Sequence, residues 1–242
     1  MVYMAKAYKL LGEYLLLSGE YFEAKKHLLR AESYFSSVNY QEGLIELSGN
    51  LGNLYYRQGE YEMAKSYYQV FLENRHLLPE TQEVANIAAE LGLAYMNQGD
   101  YDQALKIQNQ YLKEFEKEGN FNAIATLKVY IGVVLLEKGD LEAAQASFTE
   151  GQKLSKSIGN TPLTAIVASN LGIIYERKGN YSKALKQFKK DLSISEKIGD
   201  KEGVSVALAL IGELKSYQGK FHKAIEYLQK ALMIAEEMNY KK

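Results

Sequence analysis

"LGNLYYRQGEYEMA", residues 51–64, decides the fold. Its wording returns as "LGLAYMNQGDYDQA" at 91–104 and as "LGIIYERKGNYSKA" at 171–184. Searching outward, the pair Leu-Gly or Ile-Gly falls at 11–12, 51–52, 91–92, 131–132, 171–172 and 211–212, a spacing of 40 residues without insertion or deletion. Seven residues beyond each of these glycines stands a second: Gly19, Gly59, Gly99, Gly139, Gly179 and Gly219. A ring or leucine follows at Tyr21, Tyr61, Tyr101, Leu141, Tyr181 and Phe221, then an alanine at Ala24, Ala64, Ala104, Ala144, Ala184 and Ala224. Six copies of a four-point pattern define an array of supersecondary units, each burying its apolar face on its neighbours.

Each unit reads as two helices. Thr164, Val167, Leu171 and Tyr175 recur at three- and four-residue steps, the period of an amphipathic helix. Thr161 is the expected N-cap, with Pro162 in the first turn where its missing N–H costs nothing. Gly179 suits the left-handed position that ends this helix. A second helix is expected from about Tyr181 to Ile198, closed at Gly199. The glycine of each Leu-Gly pair differs, because it lies inside a helix, where it costs about 1 kcal/mol relative to alanine. Repeating that cost six times implies a close helix–helix approach, with the recurring alanine as the expected counterpart.

The totals bound the function. With 242 residues and 47% apolar content the chain is read as one domain, 1–242, its units shifting around the period as about 1–30, 31–70, 71–110, 111–150, 151–190 and 191–242. Lys and Arg number 29 against 30 Asp and Glu, a net charge of −1 that offers no electrostatic footprint for nucleic acid. There is no cysteine, which excludes disulfides, thiolate zinc sites and a cysteine nucleophile. His27, His76 and His222 are scattered. No apolar run approaches the length of a membrane span, and the start lacks the three regions of a signal peptide, so a cytoplasmic location away from membranes is expected.

Leu-Gly-x-x-Tyr followed by Ala-x-x-x-Phe resembles the tetratricopeptide repeat (TPR) signature, carried here by Leu51, Gly52, Tyr55, Ala64 and Tyr68, and by Leu171, Gly172, Tyr175, Ala184 and Phe188. The period is 40 rather than 34, and the early tryptophan is replaced by Tyr8, Ser48, Ala88, Lys128, Ala168 and Leu208. This longer variant is similar to arrays of the Pins/LGN type, to those of bacterial signalling proteins including peptide-sensing regulators, and more distantly to kinesin light chains. The resemblance implies an all-α fold: an α-solenoid, coiled as a right-handed superhelix, of six helix–turn–helix repeats and about twelve helices.

No enzyme is expected. The glycines lack the Lys-Ser/Thr and the preceding strand of a phosphate-binding loop. Glu236 and Glu237 read as a solvated helix face, while Asp100, Asp140 and Asp200 sit where a carboxylate favours the positive end of a helix. Neither a metal nor a cofactor is expected.

Binding is the better reading. In tetratricopeptide arrays the first helices line the concave face and grip an extended peptide or a helix of a partner. By that resemblance the inward positions include Asn50, Asn53, Tyr56 and Arg57; then Asn86, Glu90 and Asn97; then Tyr130, Val133 and Leu136; then Asn170, Ile173, Glu176 and Arg177; and finally Leu210, Glu213 and Tyr217. Asparagine is a mediocre helix former, yet five lie on this face, and an amide both donates and accepts, as a peptide backbone requires. Replacing Asn53 and Asn170 by alanine is therefore expected to weaken binding with little effect on melting. The clamp that grips terminal carboxylates is not expected, because Glu13 follows Lys9 where an asparagine is needed. The ends are apolar, at "YKLLGEYLLL" and around Phe221, Ala224, Ile225, Leu228 and Ile234, which fits either an array cut from a larger protein or self-association through the terminal helices. The expected function is a protein-interaction scaffold whose concave groove takes a peptide or helical segment. The alternative is a peptide-sensing regulatory domain of a bacterial signalling protein.

Overall fold

The computed structural model describes residues 1–78 and 83–239, and among them every regular element is helical. Twelve α-helices follow in order: α1 (Val2–Ser18), α2 (Tyr21–Ser37), α3 (Gln41–Arg57), α4 (Tyr61–Asn74), α5 (Glu83–Asn97), α6 (Tyr101–Glu118), α7 (Phe121–Lys138), α8 (Leu141–Ser157), α9 (Thr161–Arg177), α10 (Tyr181–Ile198), α11 (Lys201–Tyr217) and α12 (Phe221–Asn239). A 3₁₀ turn, Arg75–Leu77, extends α4.

A beat of 20 residues runs beneath the 40-residue repeat. Left-handed backbone occurs at Gly19, Gly59, Gly99, Gly119, Gly139, Gly159, Gly179, Gly199 and Gly219, with φ between +71° and +92°. Asn39, at φ +53°, fills the same role, as the non-glycine residue that tolerates this conformation best. The remaining position of the beat is Pro79, outside the described residues. At these turns the chain closes one helix and opens the next within three residues. After α3, the Glu60 N–H donates back to the Tyr55 carbonyl at 2.9 Å, and the Ala64 N–H then donates to the Glu60 carbonyl at 3.0 Å.

The N-caps correct one expectation. Asn160, not Thr161, caps α9: its side chain accepts from the Leu163 N–H at 3.1 Å, and Pro162 occupies the first turn. Asp100, Asp140, Asn180 and Asp200 do the same for their helices, accepting from the N–H three residues on. The carboxylates after the turn glycines therefore serve as N-caps at the positive ends of their helices.

The helical glycines correct another. A Cβ on Gly52 would stand 2.4 Å from the Tyr68 ring, on Gly132 2.8 Å from Phe148, and on Gly172 2.3 Å from Phe188. At Gly12 and Gly212 the obstacle is Leu28 and Leu228. The counterpart of each glycine is thus the large residue four positions beyond the alanine, one helical turn further along the same face. The alanines are themselves buried, and at Gly212 the Ala224 carbonyl stands at 3.2 Å behind Leu228. Gly92 is the exception in chemistry: it meets Gln108, fully buried, whose amide donates to the Ala89 carbonyl at 3.1 Å.

Cα packing divides the chain into two compact units, Met1–Glu114 and Phe115–Lys241. In the first, α1 pairs with α2 and α3 with α4, and the first helices α1, α3 and α5 touch in succession. Tyr68, Phe35 and Phe71 are fully enclosed in its core. In the second, α7 pairs with α8, α9 with α10 and α11 with α12, while α7, α9 and α11 touch in succession. Its core gathers Val129, Leu136, Phe148, Val167 and Ile174, continuing through Phe188, Ile211 and Leu214. Each unit therefore presents a wall of adjacent first helices. Among the described residues, no helix is long and apolar enough to cross a membrane.

Besides Gln108, a charged-type side chain is buried where other repeats hold none. Asp191 occupies the position of Ala31, Phe71, Tyr111, Gly151 and Ala231, and it is held by hydroxyl hydrogen bonds from Ser169 and, at 3.1 Å, from Ser195.

Gly172→Ala reads the glycine contact directly. Helix propensity alone would make it stabilising by about 1 kcal/mol. Collision with Phe188 should instead make it destabilising by about 1–3 kcal/mol, seen as a lower urea midpoint at unchanged helicity.

Candidate peptide-binding walls

In the first unit the wall is a lattice of polar side chains that largely satisfy one another. The Tyr68 hydroxyl, on a ring with no exposure, donates to Asn53 Oδ1 at 2.8 Å. Burial holds the Tyr68 phenol far above its ordinary range, so it remains a donor. Asn97 Nδ2 donates both to the Tyr56 hydroxyl and to its own helix at the Leu93 carbonyl, each at 3.0 Å. Asn50 is partly buried and its Oδ1 is enclosed without a hydrogen-bond partner. Asn86 is exposed, as is Arg57, whose charge opposes the effect of burial on Glu90. Burial wins there, and the Glu90 carboxyl is raised above the usual range.

Nearer the start of the same wall, Lys9 bridges Glu46 at 2.6 Å and Glu13 at 3.5 Å. Burial alone would pull the Lys9 ammonium down. The Glu46 hydrogen bond and the charges of Glu13, Glu46 and Glu83 reverse the sign and raise it. Lys9 is thus paired within its own wall with two carboxylates.

In the second unit, Tyr130, Asn170 and Ile173 lie partly buried on the wall. Asn170 Nδ2 donates to the Ile166 carbonyl of its own helix at 2.8 Å. Arg177 turns toward the preceding hairpin, donating to the Leu136 carbonyl at 3.0 Å with Glu137 at 3.7 Å. Leu136, expected to offer an apolar pocket, is 1% exposed and belongs to the core around Phe148. Between α9 and α11 opens a cavity of about 380 Å³, lined by Ile173, Glu176, Arg177, Tyr181, Leu210, Glu213 and Tyr217. The Glu176 carboxyl is raised by burial and by the Glu213 charge, against the pull of Arg177.

Among the described residues no cluster of three His, Asp or Glu could hold a metal. His27 stacks on Tyr8 at 5.6 Å, with Glu23 at 3.9 Å.

A tetratricopeptide-repeat family model matches residues 3–75, 123–197 and 163–237, and a second matches 50–119. The chain belongs to the tetratricopeptide-repeat family. Among curated proteins, none matches in sequence. Among solved structures it is similar to BtubC of P. vanneervenii, at 20% identity and a TM-score of 0.65 over 92% of this chain and 91% of that one. It is similar also to a Rap protein complexed with Competence and Sporulation Factor, at 14% identity and a TM-score of 0.71 over 99% of this chain and 78% of that one. A third, the Rap conjugation gene regulator of plasmid pLS20 in complex with the Phr* peptide, gives 15% identity and a TM-score of 0.72 over 98% and 76%. At these identities the likeness is one of fold.

The Asn53 contact changes what its removal should do. Asn53→Ala strands a buried hydroxyl and should lower stability by about 1–3 kcal/mol, so it is not the silent substitution expected from the repeat alone. Tyr68→Phe in the same chain should recover most of that loss in denaturant melts; no recovery would show that the pair is not coupled.

Proposed function

We propose that the protein is a non-enzymatic interaction scaffold whose first-helix walls bind peptide segments of a partner protein. The observation that carries this reading is the cavity between α9 and α11, which combines apolar walls at Ile173 and Leu210 with carboxylates and tyrosine hydroxyls. A site of that composition suits side chains of an extended ligand, while the backbone is met by a wall amide of the same unit, Asn170; in the first unit Asn86 and Asn50 offer the same chemistry. Tyr56, Arg57, Glu90, Asn97 and Tyr130 extend the same surface chemistry within their own units. A cytoplasmic location is part of this proposal.

A second reading is a peptide-sensing regulatory domain. It is supported by the two Rap structures, both described as complexes with a signalling factor or peptide. The two readings share the wall and differ in the ligand: a free short peptide for the sensor, a segment of a larger protein for the scaffold.

Asn170→Ala separates binding from folding. The Asn170 amide bonds only the Ile166 carbonyl four residues back in its own helix, so alanine should leave the melting temperature unchanged or slightly higher. Against peptides selected from an arrayed random library, loss of one ligand hydrogen bond should weaken affinity about fivefold. Unaltered affinity for every selected peptide would remove the second-unit wall from the binding surface.

A further inference from the structure

Adjacent first helices bring residues 37 apart in sequence face to face. In the first unit this relation joins Lys9 to Glu46 in a 2.6 Å ion pair, and Glu83, a further 37 residues on, feels both charges. In the second unit the same relation joins Glu176 to Glu213, and no lysine stands among them. Both carboxylates line the 380 Å³ cavity, and the Glu213 charge adds to burial in raising the Glu176 carboxyl. Glu176 Oε1 is enclosed without a hydrogen-bond partner. Arg177, the one cation among the lining residues, spends its guanidinium on the Leu136 carbonyl and Glu137.

We infer that this cavity is a binding site for a basic side chain, arginine or lysine, of a bound peptide. The inference deepens the wall reading above, and rests on it, by naming the chemistry of the ligand. An enclosed carboxylate oxygen facing a second carboxylate needs a donor that carries positive charge. The walls decide which cation. Ile173 and Leu210 give hydrocarbon to pack an aliphatic stem, and the Tyr181 and Tyr217 rings give faces for a guanidinium or ammonium head. Two carboxylates among rings and hydrocarbon lack the oxygen ligands a hard divalent ion requires, and no described cluster of three acidic or histidine groups supplies them. Tyr217 is 66% exposed and so stands where an entering side chain would meet it first. The local charge agrees: among the lining residues Glu176 and Glu213 outnumber Arg177.

The test uses the whole chain and a probe that needs no peptide groove. Nα-acetyl-arginine N-methylamide, titrated against isotope-labelled protein, should shift NMR signals of Ile173, Leu210 and the two tyrosines along one saturable curve. The citrulline analogue has the same shape without charge and should bind about tenfold more weakly or not at all. Glu176→Gln with Glu213→Gln keeps shape and should abolish the arginine preference at unaltered melting temperature. Equal response to arginine and citrulline, or full arginine binding by the double variant, would overturn the site. Should selected peptides bind the double variant as tightly as the wild type while Asn170→Ala weakens them, the wall reading stands and the cation site falls. Should arginine bind the cavity while no peptide binds the chain, the cation site stands and the wall reading falls.

Discussion

The contact between a helical glycine and a large side chain on the partner helix is the constraint on which the rest depends. At Gly52, Gly132 and Gly172 the missing Cβ is the space taken by Tyr68, Phe148 and Phe188. Those rings have no exposure, so one glycine per hairpin admits the largest apolar group of the second helix to the centre of the pair. The propensity lost by placing glycine in a helix is small beside the burial of a ring. Because the glycine fixes how closely the two helices approach, it also fixes which face of the first helix is left for its neighbours and which for solvent.

That division produces the walls. Each first helix buries one side on its own partner and another on adjoining hairpins, and α1, α3 and α5 in one unit and α7, α9 and α11 in the other meet along the remaining strip. Polar residues on such a strip face two fates. Some are recruited by the fold, as Asn53 is by Tyr68, Lys9 by Glu46 and Arg177 by the Leu136 carbonyl. Others keep unspent capacity, as do the enclosed oxygens of Asn50 and Glu176. Only the second kind has free energy left to give a ligand, since an unsatisfied enclosed acceptor gains more from a new donor than one already paired.

The hairpins, their turn glycines and the repeat number were legible in the sequence because they are set by spacing within one chain segment. The limits of α10, Tyr181–Ile198, follow from its amphipathic period and the glycine at each end. What escaped lies in relations between segments. The partner of Gly52 is Tyr68 rather than Ala64, a distinction that depends on the crossing of two helices and not on either pattern. Asn160 displaced Thr161 as a cap because an asparagine side chain one residue earlier reaches the same N–H groups. The pairing of Asn53 with a buried hydroxyl left no local trace. A signal did exist for two groups: Glu137 and Arg177 hold the same place in successive repeats, and Glu176 and Glu213 stand at the offset that joins Lys9 to Glu46. Superposing the six copies as neighbouring helices, instead of reading each alone, would have exposed both.

The central claim is that ligands meet the first helices, the second helices contributing only at their first residues, as Tyr181 of α10 does. Hydrogen–deuterium exchange of the whole chain, with and without a saturating peptide selected from a random library, tests it most directly. The account predicts added protection in first helices, foremost α9 and α11, with α8, α12 and α10 beyond its first turn exchanging as before. Protection confined to second helices, or spread evenly over both members of each hairpin, would contradict it.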